Sequence, residues 1–511
     1  MTPATELFEL IKSLKQTEKR YFKVFASRLT EGKQPEYLLL FNSIDAMSEY
    51  DERALKEKLK GRAFVKQLHV AKNYLTGVIL QSLAAYYHGS SAQNTIAHLL
   101  QTIEILYDKD QHNLCMRQIE KGIRLCKKYN KYPQLFIFLD WQSRIFIRRQ
   151  QYAEVQESIQ QQQTILSQLS RYLQAKQSAV DIHKQFSSQG LPRTTAETKA
   201  IEQKLLNFEI QENSTVEEEY YRLFALSSFY AGAGQHKKRA EIMERLVSTL
   251  RKNEDYITEH PNIYTSALNN CYNALVGAGQ TDKAQKIWHA IQQWSGKINV
   301  RRQDAKIFTQ MIAFDIELEL ALLTNKGAQV ISHLGQIKSF LEENGGVFQR
   351  TNTQELIYNA ARVCFTQGNY TEALDWLNQL LNQPASLTRQ DLRSACSILF
   401  LLIQYEQGNS VLLKNMITST RNSLKYKRRL YAAEQLILSA LQKLNSTVIA
   451  NNKKQILTQL LSDIIKLPDH YEEAPPAIMV DVAAWADSRL TGQPMGECMA
   501  QLYKQQTIIV D

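Results

Sequence analysis

Gly279-Gln-Thr-Asp-Lys-Ala284 and Gly368-Asn-Tyr-Thr-Glu-Ala373 share one spacing, a glycine followed five residues later by an alanine, and each lies between two runs of helical periodicity. Weaker forms of the same turn recur at Asp110, Gln150, Gly190, Gly234, Asn325 and Gly408. The eight marks advance by 40, 40, 44, 45, 46, 43 and 40 residues. A step that regular implies stacked copies of one helix-turn-helix unit, with a core that continues from copy to copy instead of closing on itself.

Composition agrees with helices. Only 19 glycines and 10 prolines punctuate 511 residues, well under ordinary usage, and 44% of the chain is hydrophobic. No run approaches the roughly 18 apolar residues of a spanning helix, so no membrane segment is expected. The start, Met1-Thr-Pro-Ala-Thr-Glu-Leu-Phe-Glu9, has no basic stretch followed by an apolar one, and predicts a chain without an export signal. Cys115, Cys126, Cys271, Cys364, Cys396 and Cys498 form no C-x-x-C pair and read as small buried hydrophobes in a reducing, cytoplasmic setting.

Three blocks are expected. Residues 1–90 form a helical cap, with apolar faces at Leu7, Leu10, Ile11 and Leu14 and at Tyr21, Phe22, Phe25 and Leu29, and with further helices near 35–48, 51–60 and 64–87. Residues 91–467 form the array, and 476–511 a final helix pair after the linker Pro468-Asp-His-Tyr-Glu-Glu-Ala-Pro475. Breaks between units fall at Tyr132-Pro133, Asn213-Ser-Thr215, His260-Pro261, Asn344-Gly-Gly346 and Asn382-Gln-Pro384. Capping boxes at Thr194/Glu197, Ser214/Glu217 and Thr388/Asp391 signal helix starts. No break is visible between 150 and 188. The last turns are expected near Asn451-Asn452 and Gly492-Gln-Pro494.

The stretch 354–384 resembles a tetratricopeptide repeat. Ile357, Ala360, Ala361 and Cys364 lie on a first helix, Gly368 and Tyr370 in the turn, and Ala373, Leu377 and Leu380 on a second helix before Pro384. The stretch 265–291 matches through Leu268, Gly279, Ala284, Trp288 and Ile291. The resemblance implies an all-α, right-handed superhelical α-solenoid, departing from the family in its period of 40–46 instead of 34 residues. Leu10-Ile-Lys-Ser-Leu-Lys-Gln-Thr-Glu-Lys-Arg-Tyr-Phe22 is also similar to the start of bacterial helical-repeat proteins that carry no assigned activity.

In that family one position of each first helix faces a concave groove. The turns align Arg144, Ser228, Asn273, Glu319 and Arg362 at this position, with Arg148, Asn269 and Asn359 beside them. The resemblance makes Arg144, Arg148, Asn269, Asn273, Asn359 and Arg362 the candidate peptide-binding set, since Asn and Arg bind main-chain amides and carboxylates. Asp315 with Glu319 would oppose a carboxylate there.

The net charge of +10 is concentrated. Residues 117–149 carry +7 and 414–429 carry +6, leaving the rest slightly acidic. Arg117, Lys121, Arg124 and Lys128 form one helical stripe, and Arg421, Lys425, Arg428 and Arg429 form the second patch. Such stripes suit an acidic protein surface or a nucleic-acid backbone. The helices near 51–60 and 64–87 could also be a DNA-reading pair through Lys66, Lys72 and Asn73. No two histidines stand three or four apart, and no phosphate-binding loop, dinucleotide fingerprint or nucleophile elbow occurs. The expectation is a non-catalytic scaffold for a protein or peptide, without cofactor or metal. The alternative is a nucleic-acid-binding or regulatory protein acting through the basic patches.

Overall fold

Seven of the αL residues among those described fall on the marks read from the sequence, while Gly61, Gly89 and Asn130 are αL elsewhere. Asp110, Gln150, Gly234, Gly279, Asn325, Gly368 and Gly408 all have φ between 54° and 76°. In the computed structural model each follows a helix, and the next residue donates its N–H back to a carbonyl five residues earlier. The seven bonds, from Gln111 N to Leu106 O through Asn409 N to Gln404 O, span 2.8–3.1 Å. This is the Schellman closure, which satisfies end-of-helix carbonyls while reversing the chain. Gly492, φ 74°, ends the penultimate helix in the same conformation. Gly190 lies outside the described residues, which are 3–28, 36–89, 91–189, 201–203, 205–206, 214–299, 302–344, 350–382, 390–426, 430, 432–467 and 476–509. Leu29, the boxes at Thr194 and Thr388, the Asn344-Gly-Gly346 break beyond Asn344, and the 468–475 linker fall outside them too.

All regular structure among the described residues is helical, in two compact units, Met1–Leu169 and Ser170–Asp511. The first unit begins with α1 (Pro3–Ser13), α2 (Gln16–Ser27), α3 (Glu36–Asp45), α4 (Glu52–Lys58) and α5 (Leu68–Tyr86). They enclose Leu7, Ile11, Phe22, Phe41, Leu75 and Ile79. Next come α6 (Ala92–Asp108), α7 (His112–Lys128), α8 (Tyr132–Arg148) and α9, one unbroken helix from Tyr152 to Gln189. α6, α7 and α8 are each 17 residues long, and three-residue turns separate them. The 40-residue step therefore comes from long helices on short turns. At Gly122 a Cβ would meet the Phe138 ring at 2.2 Å, so α7 and α8 approach as closely as a glycine permits.

The second unit runs through α10 (Val216–Gly232), α11 (His236–Arg251), α12 (Glu254–Glu259), α13 (Pro261–Gly277), α14 (Thr281–Lys297) and α15 (Gln303–Leu323). It continues with α16 (Gly327–Val330), α17 (Leu334–Asn344), α18 (Arg350–Thr366), α19 (Tyr370–Leu381), α20 (Gln390–Glu406) and α21 (Ser410–Tyr426). α22 (Ala432–Ser446), α23 (Ala450–Ile465), α24 (Pro476–Thr491) and α25 (Met495–Ile509) complete it. The inserted α12 and the 21-residue α15 account for the longer steps of this half. Successive helices pack in chain order, and the first members of the pairs, α13, α15, α18, α20 and α22, also touch one another as a row. One apolar core extends from Leu223 to Met499, as stacking requires.

Two details differ from the sequence reading. The cap of α10 is Thr215, whose hydroxyl accepts from Glu218 N at 3.1 Å, because Ser214 instead bonds the Glu218 carboxylate. Asn451 and Asn452 lie inside the first turn of α23, and the chain turns just before them.

Replacing Gly122 by Ala is expected to lower stability by about 1–3 kcal/mol through overpacking against Phe138. Gly368→Ala, where a Cβ meets nothing but φ is +76°, should cost about 1–2 kcal/mol from the backbone alone. Urea denaturation of the two variants checks both.

Candidate functional site

Arg362 projects from the middle of α18, on the row of first helices, and it is not solvated. Its guanidinium and the Asp481 carboxylate of α24 are both about 95% buried, joined by three hydrogen bonds of 2.8–3.1 Å. The same guanidinium donates to Tyr503 Oη of α25 at 3.0 Å and to Asn359 Oδ1 at 3.0 Å. Tyr358 Oη donates to Asp481 at 3.4 Å. Asn359 passes the chain of bonds on, donating to Asp315 Oδ1 of α15 at 2.9 Å. A planar fork meeting a carboxylate in this way is strong and directional, and losing one partner of such a buried pair costs several kcal/mol.

The final helix pair thus covers the row that the sequence reading assigned to a ligand. α25 rests on α15, and α24 on α20 and α23. A second anchor lies at the end of α20. The buried Glu406 carboxylate accepts from Trp485 Nε1 at 2.7 Å, from Arg489 Nε at 2.9 Å and from Tyr370 Oη at 3.3 Å. At Gly496 of α25 an added Cβ would lie 2.4 Å from Asn325 Oδ1, so the turn after α15 also touches the pair.

Charge in this pocket is regulated by burial. Burial, then the neighbouring Glu355 and Glu319 charges, push the Asp315 carboxyl up to about 8. Burial also raises Glu319, although Arg362 opposes it. Burial works against the Arg362 cation, yet Asp481 and Tyr503 hold it well above its ordinary range. Near neutral pH the site therefore holds one strong ion pair beside a carboxyl that keeps its proton, which softens the repulsion expected from Asp315.

Of the other candidates, Asn359 is half-buried in this network, while Asn269 is half-buried and Asn273 exposed on α13. Glu319 is on α15, and Ser228 is half-buried on α10. Arg144 and Arg148 belong to the first unit. There Arg144 pairs with Asp140 at 2.8 Å and stacks over Trp141, and Arg148 bonds Tyr107 and Asp110. Asp481, Tyr358 and Tyr503 were not anticipated. The available signal was Asp481 itself, a single acid inside Ile478-Met-Val-Asp-Val-Ala-Ala-Trp485, since a charge in an apolar helix needs a buried partner.

Arg117, Lys121, Arg124 and Lys128 are all exposed along α7, opposite the buried Cys115, Ile119 and Cys126. Arg421 bonds Gln442 and Lys425 is exposed, whereas Arg428 and Arg429 lie outside the described residues. Lys72 is buried and held by Glu52 at 2.6 Å and by Tyr50. Among the described residues no cluster of His, Cys, Asp or Glu could hold a metal, and no helix is long and apolar enough to cross a membrane. No protein-family model matches the chain, and no curated protein matches it.

Between pH 4 and 8 the folded chain holds a proton on Asp315 that the unfolded chain has released. The stability from this group is therefore complete below about pH 4 and falls as pH rises to 8, by at most about 1.4 kcal/mol per pH unit for one proton. Asp315→Asn, which mimics the protonated form and can still accept from Asn359, should flatten that decline. Urea titrations at pH 6, 7 and 8 on both proteins measure it.

Proposed function

We propose that the chain is a non-catalytic scaffold whose second unit, a tetratricopeptide-like right-handed superhelix, binds a helical protein segment along its row of first helices. The observation that supports this most is that the row already grips a helix. Arg362 takes an acid from it, and Glu406 takes an indole and a guanidinium. A partner competing for this surface would offer the same features in the same order: a buried carboxylate, a tryptophan one turn on, and a basic residue one turn further. Asn273, exposed on the neighbouring α13, is available to bond the partner's main chain.

The test uses the full chain carrying Asp481→Ala, which removes the resident carboxylate, and a labelled peptide of residues 476–491. Saturable binding is expected by fluorescence anisotropy, weakened at least tenfold when the peptide itself carries Asp481→Ala. A peptide that fails to bind the variant chain, or binds equally well without its aspartate, would remove the row from consideration.

The stripe of four exposed cations on α7, Arg117, Lys121, Arg124 and Lys128, favours a second reading, an anionic partner such as nucleic acid. Four phosphate contacts predict an affinity that falls about 100-fold between 50 and 200 mM salt. Lys121→Glu with Arg124→Glu should abolish retention of single- or double-stranded probes in a filter-binding assay, and a salt-insensitive result would end this reading.

A further inference from the structure

Val411 and Leu412 lie at the start of α21, and Val448 and Ile449 lie in the turn between α22 and α23. They are exposed at 79%, 45%, 92% and 62%, and Val448 and Val411 are the most exposed large aliphatic side chains among the described residues. The two pairs share one edge of the second unit, because Asn445, at the end of α22, donates through Nδ2 to the Ser410 carbonyl at 2.9 Å. Four lysines surround them. Lys414 stands one turn after Val411, Lys443 lies in the last turn of α22, and Lys453, whose N–H donates to the Ile449 carbonyl, is followed by Lys454. Lys414, Lys443 and Lys454 are exposed, Lys453 is half-buried, and none of the four pairs with a carboxylate among the described residues. From Gln407 to Ser462 the sequence holds nine cations and one acid, and that acid, Glu434, is buried. α21 and α23 both begin at this edge with no acid in the first turn, so the positive ends of two helix dipoles add to the lysines.

We propose that this edge is a peripheral docking surface for an anionic phospholipid bilayer. Val411, Leu412, Val448 and Ile449 enter the interface, and the lysines meet the headgroup phosphates. The combination of charge and apolar tips selects this occupant. A nucleic acid or an acidic protein segment would take the ammonium groups and leave the aliphatic tips in water. A bilayer places an apolar layer directly beneath an anionic one, so both halves of the surface are satisfied at once. Side chains this exposed project from an edge, whereas the walls of a groove for a bound helix are half-buried before the helix arrives. The positive field brings the edge to the membrane and the tips hold it there.

The test is sedimentation of the full-length protein with vesicles of phosphatidylcholine alone or with a quarter of phosphatidylglycerol. Binding is expected to the anionic vesicles and not to the neutral ones, and it should weaken as salt rises. Val448→Asp with Ile449→Asp should weaken it at least about tenfold through lost apolar burial, with the melting temperature unchanged because both side chains are exposed. Lys453→Glu with Lys454→Glu, which leaves the tips intact, should weaken it as well. The six native cysteines are all buried, so Val448→Cys adds one accessible thiol for an environment-sensitive fluorophore, whose emission should shift to the blue on anionic vesicles. A chain that ignores anionic vesicles overturns the inference. So does binding that the aspartate pair leaves unchanged, or a label that stays in water while the chain is bound, either of which would mark a contact made by charge alone.

Discussion

The left-handed residue that ends seven of the first helices is the constraint on which this molecule depends. Two backbone bonds around that one residue satisfy carbonyls that would otherwise point into a neighbouring helix, and they return the chain antiparallel after three residues. Repeating the device at Asp110, Gln150, Gly234, Gly279, Asn325, Gly368 and Gly408 lays down pairs of near-constant length. Each pair exposes an apolar face that the next must cover, and the core at Leu223–Met499 is the accumulated result. Where a non-glycine takes the position it is Asp, Asn or Gln, of which the first two are the side chains best able to tolerate this backbone.

That geometry was legible because it is local. A turn needing φ > 0 selects its residue type, and the helix on either side selects its apolar period, so turns and most helix ends follow from short windows of sequence. The long α9 was visible only as a missing break, which its unbroken pattern explains. Ser214 and Thr215 both look like caps, and a one-residue choice between them depends on which hydroxyl the Glu218 carboxylate occupies. The site was less legible for a different reason. Position within a repeat pointed to Arg362 and Asn359, but the acid and the phenol that Arg362 touches lie 119 and 141 residues further along the chain, and the carboxyl that Asn359 touches lies 44 residues earlier. No local pattern encodes that partnership. It rests on Asp481 being the one charge in an apolar stretch.

The covered row also changes what its residues mean. An arginine that reads as a solvated hook for peptide carboxylates is a buried cation with a dedicated counter-ion. A pair of acids that reads as repulsive is moderated by a proton on Asp315. Its Asn359 contact still works when that carboxyl is neutral, because the amide donates and either oxygen can accept. Sequence supplies the residue types at such a site, while protonation and partner follow from burial.

The Arg362–Asp481 contact has one more consequence. A linear stack loosens from its two ends, because a terminal unit has a neighbour on one side only. Joining residues 119 positions apart turns the last part of this stack into a closed loop, so α25 is braced by helices it does not follow in sequence. Fraying from the C-terminal side must break the Tyr503 bond to Arg362 and then the buried Arg362–Asp481 ion pair. The closure also asks an otherwise local fold to form a contact across 119 residues, whose loop must close before Arg362 and Asp481 reward it.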